Sequence, residues 1–390
     1  MKTAAPAADL QSLSTPTLLL DRNIMRGNLR RMADHITGLG GVLRPHVKTH
    51  KSRDVAGDVK AAGGIIGVTV STLNEAAYFF EAGHNDILYA VGMTPNKVAM
   101  AADLIKKGCT LTVVTDNEAM VALIAEQARA HGVELSILIE LDVDGHRSGI
   151  DPNRDDLLPV ARAIATTEGV RLKGVMAHAG GSYNRNSLDA IKSHAEQERA
   201  LTVTAAERIR ADGLDCPVVS IGSSPTALMI DNLDGVTEVR AGVYTFFDLF
   251  QTGLGVSKLE NIALSVLTTV IGHQPDKNWV IVDAGWMAMS RDRGTEKQAV
   301  DQGFGVVCNA AGVPLGDAKT GHIIMGGTSQ EHGILMAREG APALNIGDFP
   351  VGTMLRVLPN HACATAAQYD GYDVLEDGAV KRRWKRTNRW

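Results

Sequence analysis

Residues 110–141 read TLTVVTDNEAMVALIAEQARAHGVELSILIEL. Two β-branched runs, Thr110–Thr115 and Leu135–Leu141, flank an amphipathic segment, Asn117–His131. Short, nearly unbroken apolar runs suit strands buried on both faces, and a 3.6-residue recurrence between them suits a helix packed on the sheet. Strand, helix, strand is the unit of a parallel sheet, because parallel neighbours need a crossover. The same alternation extends in both directions. Upstream lie Val42–Val47, Ile66–Val70 and Asp86–Val91; downstream lie Leu172–Ala177, Val218–Ile221 and Val236–Arg240. Helical patterns intervene, including Ser187 to Ala211 and a segment opening at Thr72, where Thr72 and Glu75 have capping-box spacing. Eight such strands predict an α/β fold, a (β/α)8 barrel of the TIM type. Ahead of it, Met25, Leu29, Met32 and Ile36 recur at helical spacing and predict an amphipathic helix.

After residue 260 the helical periodicity fades. Ile262–Ile271, Trp279–Val282, His322–Met325 and Met354–Leu358 are β-rich runs separated by turns containing Gly, Pro and Asp, which predicts a mostly-β second domain. Thr17–Leu20 is a strand that precedes the barrel and is expected to pair with that domain. The expected division is a barrel over residues 22–260 and a β-rich domain over residues 1–21 plus 261–390. A chain of 390 residues fits two domains, since single cores stop growing at about 250–300 residues.

The chain is 45% hydrophobic and 21% charged with a net charge of −5, an ordinary globular balance. Its basic residues are scattered, and Lys381–Arg386, interrupted by Trp384, reads as a solvated tail, so nucleic acid is not an expected partner. No run approaches the roughly 20 apolar residues of a membrane span, and no membrane association is expected. Met1–Leu10 lacks the charged and apolar segments of a signal peptide. Cys109, Cys216, Cys308 and Cys363 show no CxxC spacing, which argues for a reducing compartment, the cytoplasm.

Active sites of such barrels lie at the C-terminal strand ends. Reading those ends in order gives Lys48, Arg147, His178, Ser223 with Ser224, and Arg240. This set suits an anionic, phosphorylated carbonyl cofactor. An imine-forming lysine must be deprotonated, which burial promotes, although Lys48 also reads as a snorkelling lysine at a strand end. Gly222-Ser223-Ser224-Pro225-Thr226 reads equally as a phosphate site at a helix start and as a plain N-cap. Arg147, in a glycine-flanked loop, and Arg240 each also read as structural ion-pair residues. His361-Ala362-Cys363 follows Met354–Leu358. If the chain stays extended there, imidazole and thiolate point the same way and can share a metal, zinc before manganese or magnesium. The alternative is a free cysteine beside a hydrogen-bonded histidine. His332 is a further candidate functional histidine.

With these residues in hand, the chain resembles the D-threonine aldolase and D-serine dehydratase family, whose barrel is shared with alanine racemase. The resemblance runs from Thr15-Pro16 through Arg44-Pro45-His46-Val47-Lys48-Thr49, Asp144–Gly149, Glu238–Tyr244 and Val282–Asp292 to Pro359-Asn360-His361-Ala362-Cys363. It implies a barrel of the alanine racemase N-terminal type that binds pyridoxal 5'-phosphate. Lys48 matches the lysine that forms an imine with the cofactor, and Arg147 the arginine near its phenolic oxygen. Gly222, Ser223 and Ser224, with the Gly242–Val243 backbone, match its phosphate cradle. Arg240 matches the arginine facing its ring nitrogen. His361 and Cys363 match the metal pair of the dehydratases, and His178 is left to orient substrate or cofactor.

The family's aldolases carry aspartate where Cys363 stands and glutamine where Arg240 stands, so the resemblance points to the dehydratase branch. The implied activity is a zinc-dependent lyase that removes water from a D-β-hydroxy amino acid, D-threo-3-hydroxyaspartate or D-serine, to give a keto acid and ammonia. Lys48 would take the α-proton, and zinc would assist departure of hydroxide. Arg291 or Arg293 would meet a distal carboxylate. The alternatives are an aldolase releasing glycine and an aldehyde, and a non-catalytic cofactor-binding protein. A racemase would need a tyrosine that Val282–Ser290 does not contain. Relatives of this type imply a homodimer.

Overall fold

The computed structural model describes residues 9–317 and 321–388, so most of Met1–Leu10 lies outside the described residues. The chain opens on β1 (Thr17–Asp21) and α1 (Arg22–Gly38). Met25, Leu29, Met32 and Ile36 are buried along α1, as their spacing predicts. The chain then divides into two compact units, one spanning Arg30–Gly242 and the other combining the residues up to Leu29 with Val243–Asn388.

The first unit carries β2 (Leu43–Pro45), β3 (Val68–Val70), β4 (Asp86–Gly92), β5 (Thr110–Thr115), β6 (Leu135–Leu141), β7 (Val170–Ala177), β8 (Val218–Ile221) and β9 (Glu238–Ala241). All pair in parallel in the order β2-β9-β8-β7-β6-β5-β4-β3. Parallel bridges Leu43↔Ile65 and His46↔Thr69 join the two ends, closing the barrel. Each strand overlaps one of the eight runs read from the sequence, with β4, β7 and β9 reaching one or two residues beyond them. Between and after them come α2 (Arg53–Ala62), α3 (Leu73–Glu81), α4 (Val98–Lys106), α5 (Glu118–Ala130), α6 (Leu157–Thr166), α7 (Leu188–Ala211) and α8 (Ser224–Met229). Val113, Ile137, Val175 and Val219 from the strands join Ile124, Ala161 and Ile209 from the helices in one core. β6 is buried along its whole length, which is why it reads as a continuous apolar run.

Capping fixes several helix starts. Asn117 and Ser187 accept the Met120 and Ala190 amides at 3.1 and 3.2 Å, and Thr72 accepts the Glu75 amide at 3.0 Å. Glu75 does not return to its cap, however. Its carboxylate takes the Ser71 amide (2.9 Å), the Ser71 hydroxyl (2.7 Å) and Lys51 (2.9 Å). The buried acid therefore finds a cation and a neighbouring residue instead of closing the box.

The second unit continues with β10 (Leu264–Gln274), β11 (Trp279–Val282), β12 (Gly305–Asn309), β13 (Gly316–Asp317), β14 (Gly321–His322), β15 (Ile324–Thr328), β16 (Gly333–Met336), β17 (Met354–Pro359), β18 (Gly371–Glu376) and β19 (Ala379–Lys385). Its short helices are α9 (Leu249–Gly253), α10 (Trp286–Met289) and α11 (Ala362–Ala366). Nine strands form one sheet, ordered β11-β16-β15-β12-β17-β10-β1-β18-β19, with β10 also pairing β11. β1 lies between β10 and β18, so Thr17–Leu20 does pair with the β-rich unit.

The barrel unit ends at Gly242, earlier than the residue 260 expected from periodicity. Residues after Gly242 are tied to the β unit. The Ala263 amide donates to the Phe246 carbonyl (2.8 Å), the Phe250 amide to the Asn360 carbonyl (3.1 Å), and the Ala362 amide to Asp248 (2.9 Å).

Lys381–Arg386 is not a solvated tail. Residues up to Lys385 form β19, paired antiparallel with β18, and Arg386 is buried. Val380 and Trp384 point inward while Lys381, Arg383 and Lys385 face solvent, so strand alternation disguises a core residue inside a basic run. The Arg22 guanidinium lies 5.0 Å above the Trp384 ring. Trp384→Ala is expected to cost about 3 kcal/mol of stability or more, read from the midpoint of denaturant unfolding. A change below about 0.5 kcal/mol would restore the tail reading. No described helix is long and apolar enough to cross a membrane.

Candidate active-site residues

The barrel's carboxyl rim gathers most of the residues singled out. β2 ends at Pro45, and Lys48 stands in the turn beyond it, exposed. The side chain therefore lies beyond the strand end, where the sequence reading put it, and it is exposed. His178 follows β7. Its Nδ1–H donates to the Gly222 carbonyl at 3.0 Å, which leaves Nε2 with its lone pair. Burial, and after it the positive charge of Lys48, with smaller contributions from Arg240 and Arg147, pushes the His178 pKa down to about 3. His178 is neutral at working pH. The same causes show that Lys48, Arg147, Arg240 and His178 share one electrostatic neighbourhood.

Arg240, on β9, is buried in the barrel and held on several sides. Its Nε donates to Ser220 Oγ (2.8 Å) and its guanidinium also donates to the Ala177 carbonyl. Ser220 in turn donates to Glu238 (2.7 Å), which pairs with Arg44 (2.8 Å). Arg44 also meets both oxygens of Asp86, at 2.9 and 3.1 Å. Burial draws the Arg240 pKa down against the pull of Glu198 and Glu238, yet a guanidinium keeps its proton. Arg240 is a fixed cation. Arg147, in the loop after β6, is mostly exposed, 3.4 Å from Glu140.

The Gly222–Thr226 turn answers one open reading. Ser223 caps α8 and closes a full capping box with Thr226, and its hydroxyl also lies 3.1 Å from that of Ser182. The N-cap reading therefore holds for its side chain. Gly222 sits at φ +127°, and a Cβ there would lie 2.3 Å from the Arg240 carbonyl oxygen. At Gly242, just past β9, a Cβ would meet the His46 carbonyl oxygen at 2.9 Å. Val243 begins a short 3-10 turn, Val243–Thr245.

Two contributors carry no local sequence signal. His46, beside Lys48, has a buried Nδ1 without a hydrogen-bond partner, and its pKa is lowered well below the usual value by burial and by Lys48. Glu198, fully buried on α7, accepts the Ala179 amide (3.0 Å) and the Gly222 amide (2.9 Å) with one oxygen. It thereby ties the ends of β7 and β8 on either side of His178. Glu198→Met is expected to lower kcat about ten-fold or more with little change in KM. Glu198→Gln, whose amide oxygen accepts the same two amides, is expected to restore most of it.

Cationic side chains, a neutral histidine, an orphaned imidazole nitrogen and turns closed to any Cβ fit a phosphorylated, anionic aldehyde. Lys48 is the amine it would engage.

In the β unit, His361 and Cys363 do come together, though not along an extended strand. β17 ends at Pro359, His361 is the N-cap of α11, and Cys363 lies in its first turn. Burial opposes charge on His361, but the Cys363 sulfur and the Asp292 carboxylate outweigh it and raise the imidazole pKa well above its usual value. Asp292 Oδ2 lies 2.7 Å from His361 Nδ1. Beneath them Asp248 accepts the Ala362 and Gln251 amides, both at 2.9 Å. The other cysteines are poor ligands: burial pushes the thiols of Cys109 and Cys216 up to about 11 and that of Cys308 to about 12. Cys363 is the partly exposed one. A soft sulfur beside an imidazole whose other nitrogen is engaged fits zinc. Two donors leave further positions to water or substrate, and no cluster of three ligating side chains occurs among the described residues. His332 is exposed in the turn before β16. Arg293 is committed to Asp301 at 2.6 Å, and Arg291 lies exposed over Trp286.

Comparison with known proteins agrees with this architecture. The family profile "Alanine racemase, N-terminal domain" matches residues 20–249, and "Putative serine dehydratase domain" matches residues 263–375. The D-threo-3-hydroxyaspartate dehydratase of Delftia sp. (strain HT23) is 50% identical over 98% of this chain and 99% of its own. The D-serine dehydratase of Dictyostelium discoideum is 30% identical over 98% of each. A cysteine-to-alanine mutant of D-threo-3-hydroxyaspartate dehydratase, solved in metal-free form, superposes with a TM-score of 0.94 at 48% identity, covering 98% of this chain and 100% of that one. The chain belongs to the alanine-racemase-like, fold-type III family of pyridoxal-phosphate enzymes and is a lyase within it.

Proposed function

We propose that the chain is a pyridoxal-phosphate- and zinc-dependent dehydratase that converts a D-β-hydroxy amino acid, D-threo-3-hydroxyaspartate before D-serine, to a keto acid and ammonia. The observation that carries the choice of reaction is the His361 imidazole set between Cys363 and Asp292. A thiolate–imidazole pair selects zinc over the hard cations that favour oxygen ligands. The order of substrates follows the 50% identical relative.

Bound at Lys48, pyridoxal phosphate supplies the electron withdrawal that acidifies an amino acid's α-carbon, and zinc at His361 and Cys363 supplies Lewis acidity toward a β-hydroxyl. The residues supply the rest. Lys48, in its neutral form, takes the α-proton. Arg240, locked by Ser220 and Ala177, keeps its own proton and would give none to the cofactor's ring nitrogen if that nitrogen faced it. Such an arginine would make the cofactor a weaker electron sink, which would favour elimination. Neutral His178, with Nε2 open, accepts a hydrogen bond and orients the reactant without adding charge.

The test is to incubate the reconstituted protein with D-threo-3-hydroxyaspartate, D-serine and D-threonine, and to quantify ammonia, keto acid and glycine with and without a chelator. Chelator-sensitive keto acid and ammonia in equal amounts, without glycine, support the proposal. Glycine with an aldehyde would assign an aldolase instead. Absence of turnover on all three substrates would overturn this choice of substrates.

A further inference from the structure

We infer that Asp292 is a positioning residue for the metal: it fixes the tautomer and rotation of His361 so that Nε2, not Nδ1, is the nitrogen offered to a soft divalent cation. The inference rests on the zinc reading above and extends it to a residue outside the ligand pair.

The geometry is specific. An imidazole that binds a metal has given up one proton, and the N–H it keeps follows the stronger acceptor. Asp292 Oδ2, 2.7 Å from Nδ1, is such an acceptor, so the lone pair is left on Nε2. A carboxylate behind a ligating imidazole also makes it a stronger donor. Asp292 is itself held. Its Oδ1 accepts the Gly294 amide (2.8 Å), and its own amide donates to Ser290 Oγ (3.2 Å). With one oxygen on His361 and the other on Gly294, the carboxylate is placed to orient the ligand and not to become a ligand itself.

A second stitch keeps the two segments in register. Asn360, the residue before His361, donates through Nδ2 to the Asp292 carbonyl (3.3 Å) and the Gly303 carbonyl (2.5 Å), while Thr295 donates to its Oδ1 (2.8 Å). The loop that carries Asp292 is thus tied to the turn that carries His361 through main chain as well as side chain. The ordering needed to present Nε2 and Cys363 together is in place before any cation arrives, which lowers the entropic cost of binding.

Zinc affinity of the purified apoprotein, measured by competition with a chromophoric chelator, tests this without reference to turnover. Asp292→Ala is expected to bind zinc about 10–100-fold more weakly than the parent, the usual cost of losing such an outer partner. Asp292→Asn has one oxygen for the two partners, the Gly294 amide and His361 Nδ1. With that oxygen on the Gly294 amide, its NH2 faces Nδ1 and favours the proton on Nε2, so its zinc affinity is expected to fall below the parent's as well. The apoproteins should unfold at similar temperatures, since a merely structural contact would lower that temperature and leave zinc affinity unmoved. Parent-like affinity in Asp292→Asn overturns the inference even if Asp292→Ala does not fold. Parent-like affinity in a folded Asp292→Ala overturns it equally. A parent protein that takes up no zinc removes the metal reading itself, and this inference with it.

Discussion

Lys48→Ala is expected to lower turnover by at least ~10²–10⁴-fold, the range associated with losing a positioned acid–base group, and to remove the covalent attachment of the cofactor as well. The effect should be the largest of any single substitution at the barrel rim. The neighbouring side chains offer no amine: Arg147 and Arg240 are guanidines, and neutral His178 has its Nδ1 engaged with the Gly222 carbonyl. None replaces a primary amine as both nucleophile and base. Borohydride treatment of the parent should fix the cofactor to the peptide that contains Lys48, and the variant should show no such adduct. Small amines in the buffer should restore part of the turnover if the missing function is proton transfer. Activity within ten-fold of the parent would move the catalytic amine elsewhere in the chain.

Cys363→Asp carries the second large expectation. Exchanging the thiolate for a carboxylate carries the donor one bond further from the backbone and makes it harder, so zinc affinity should fall and dependence on manganese or magnesium should appear. If the ion contributes about 4 kcal/mol to departure of the hydroxyl, keto-acid formation with zinc should drop about a thousand-fold. The remaining cysteines do not compensate, because burial keeps their thiols protonated. Metal analysis beside product analysis separates the outcomes. Unchanged zinc content would place the metal on other residues, and a rise in glycine would show that this one ligand divides elimination from retro-aldol cleavage.

The barrel was legible because its strands are buried on both faces and therefore read as compact β-branched runs; β6 is the plainest case. The β-rich unit was less legible. β12, β16 and β18 did not stand out, the first two being short and opening on glycine, and β19 hides Trp384 among lysines and arginines. At the site, residues at strand ends and in the His-Ala-Cys motif could be named from the sequence. Glu198, Asp248 and Asp292 could not. Each acts on a residue far from it in the chain: Glu198 reaches the Gly222 amide, Asp248 the Ala362 amide and Asp292 the His361 ring. An isolated carboxylate on a helix or loop has no local pattern that distinguishes it from a solvated one. The register of His361 and Cys363 was also unreadable, because the turn into α11 begins where the extended strand was expected to continue.

The place of β1 bears on how the molecule is made. Thr17–Leu20 pairs with Leu267–Leu264 on one side and, through Leu19 and Leu20, with Asp373 and Val374 on the other. Thus β1, which precedes the barrel in the chain, sits inside a sheet whose other members all follow the barrel. The barrel's strands, by contrast, are encoded consecutively between them and can close as soon as β9 is synthesised. During that interval β1 has an apolar sequence and no partner on either edge, a condition that favours pairing with the wrong chain. Slow translation of the later strands would lengthen that exposure, and a holdase bound to β1 would mask it.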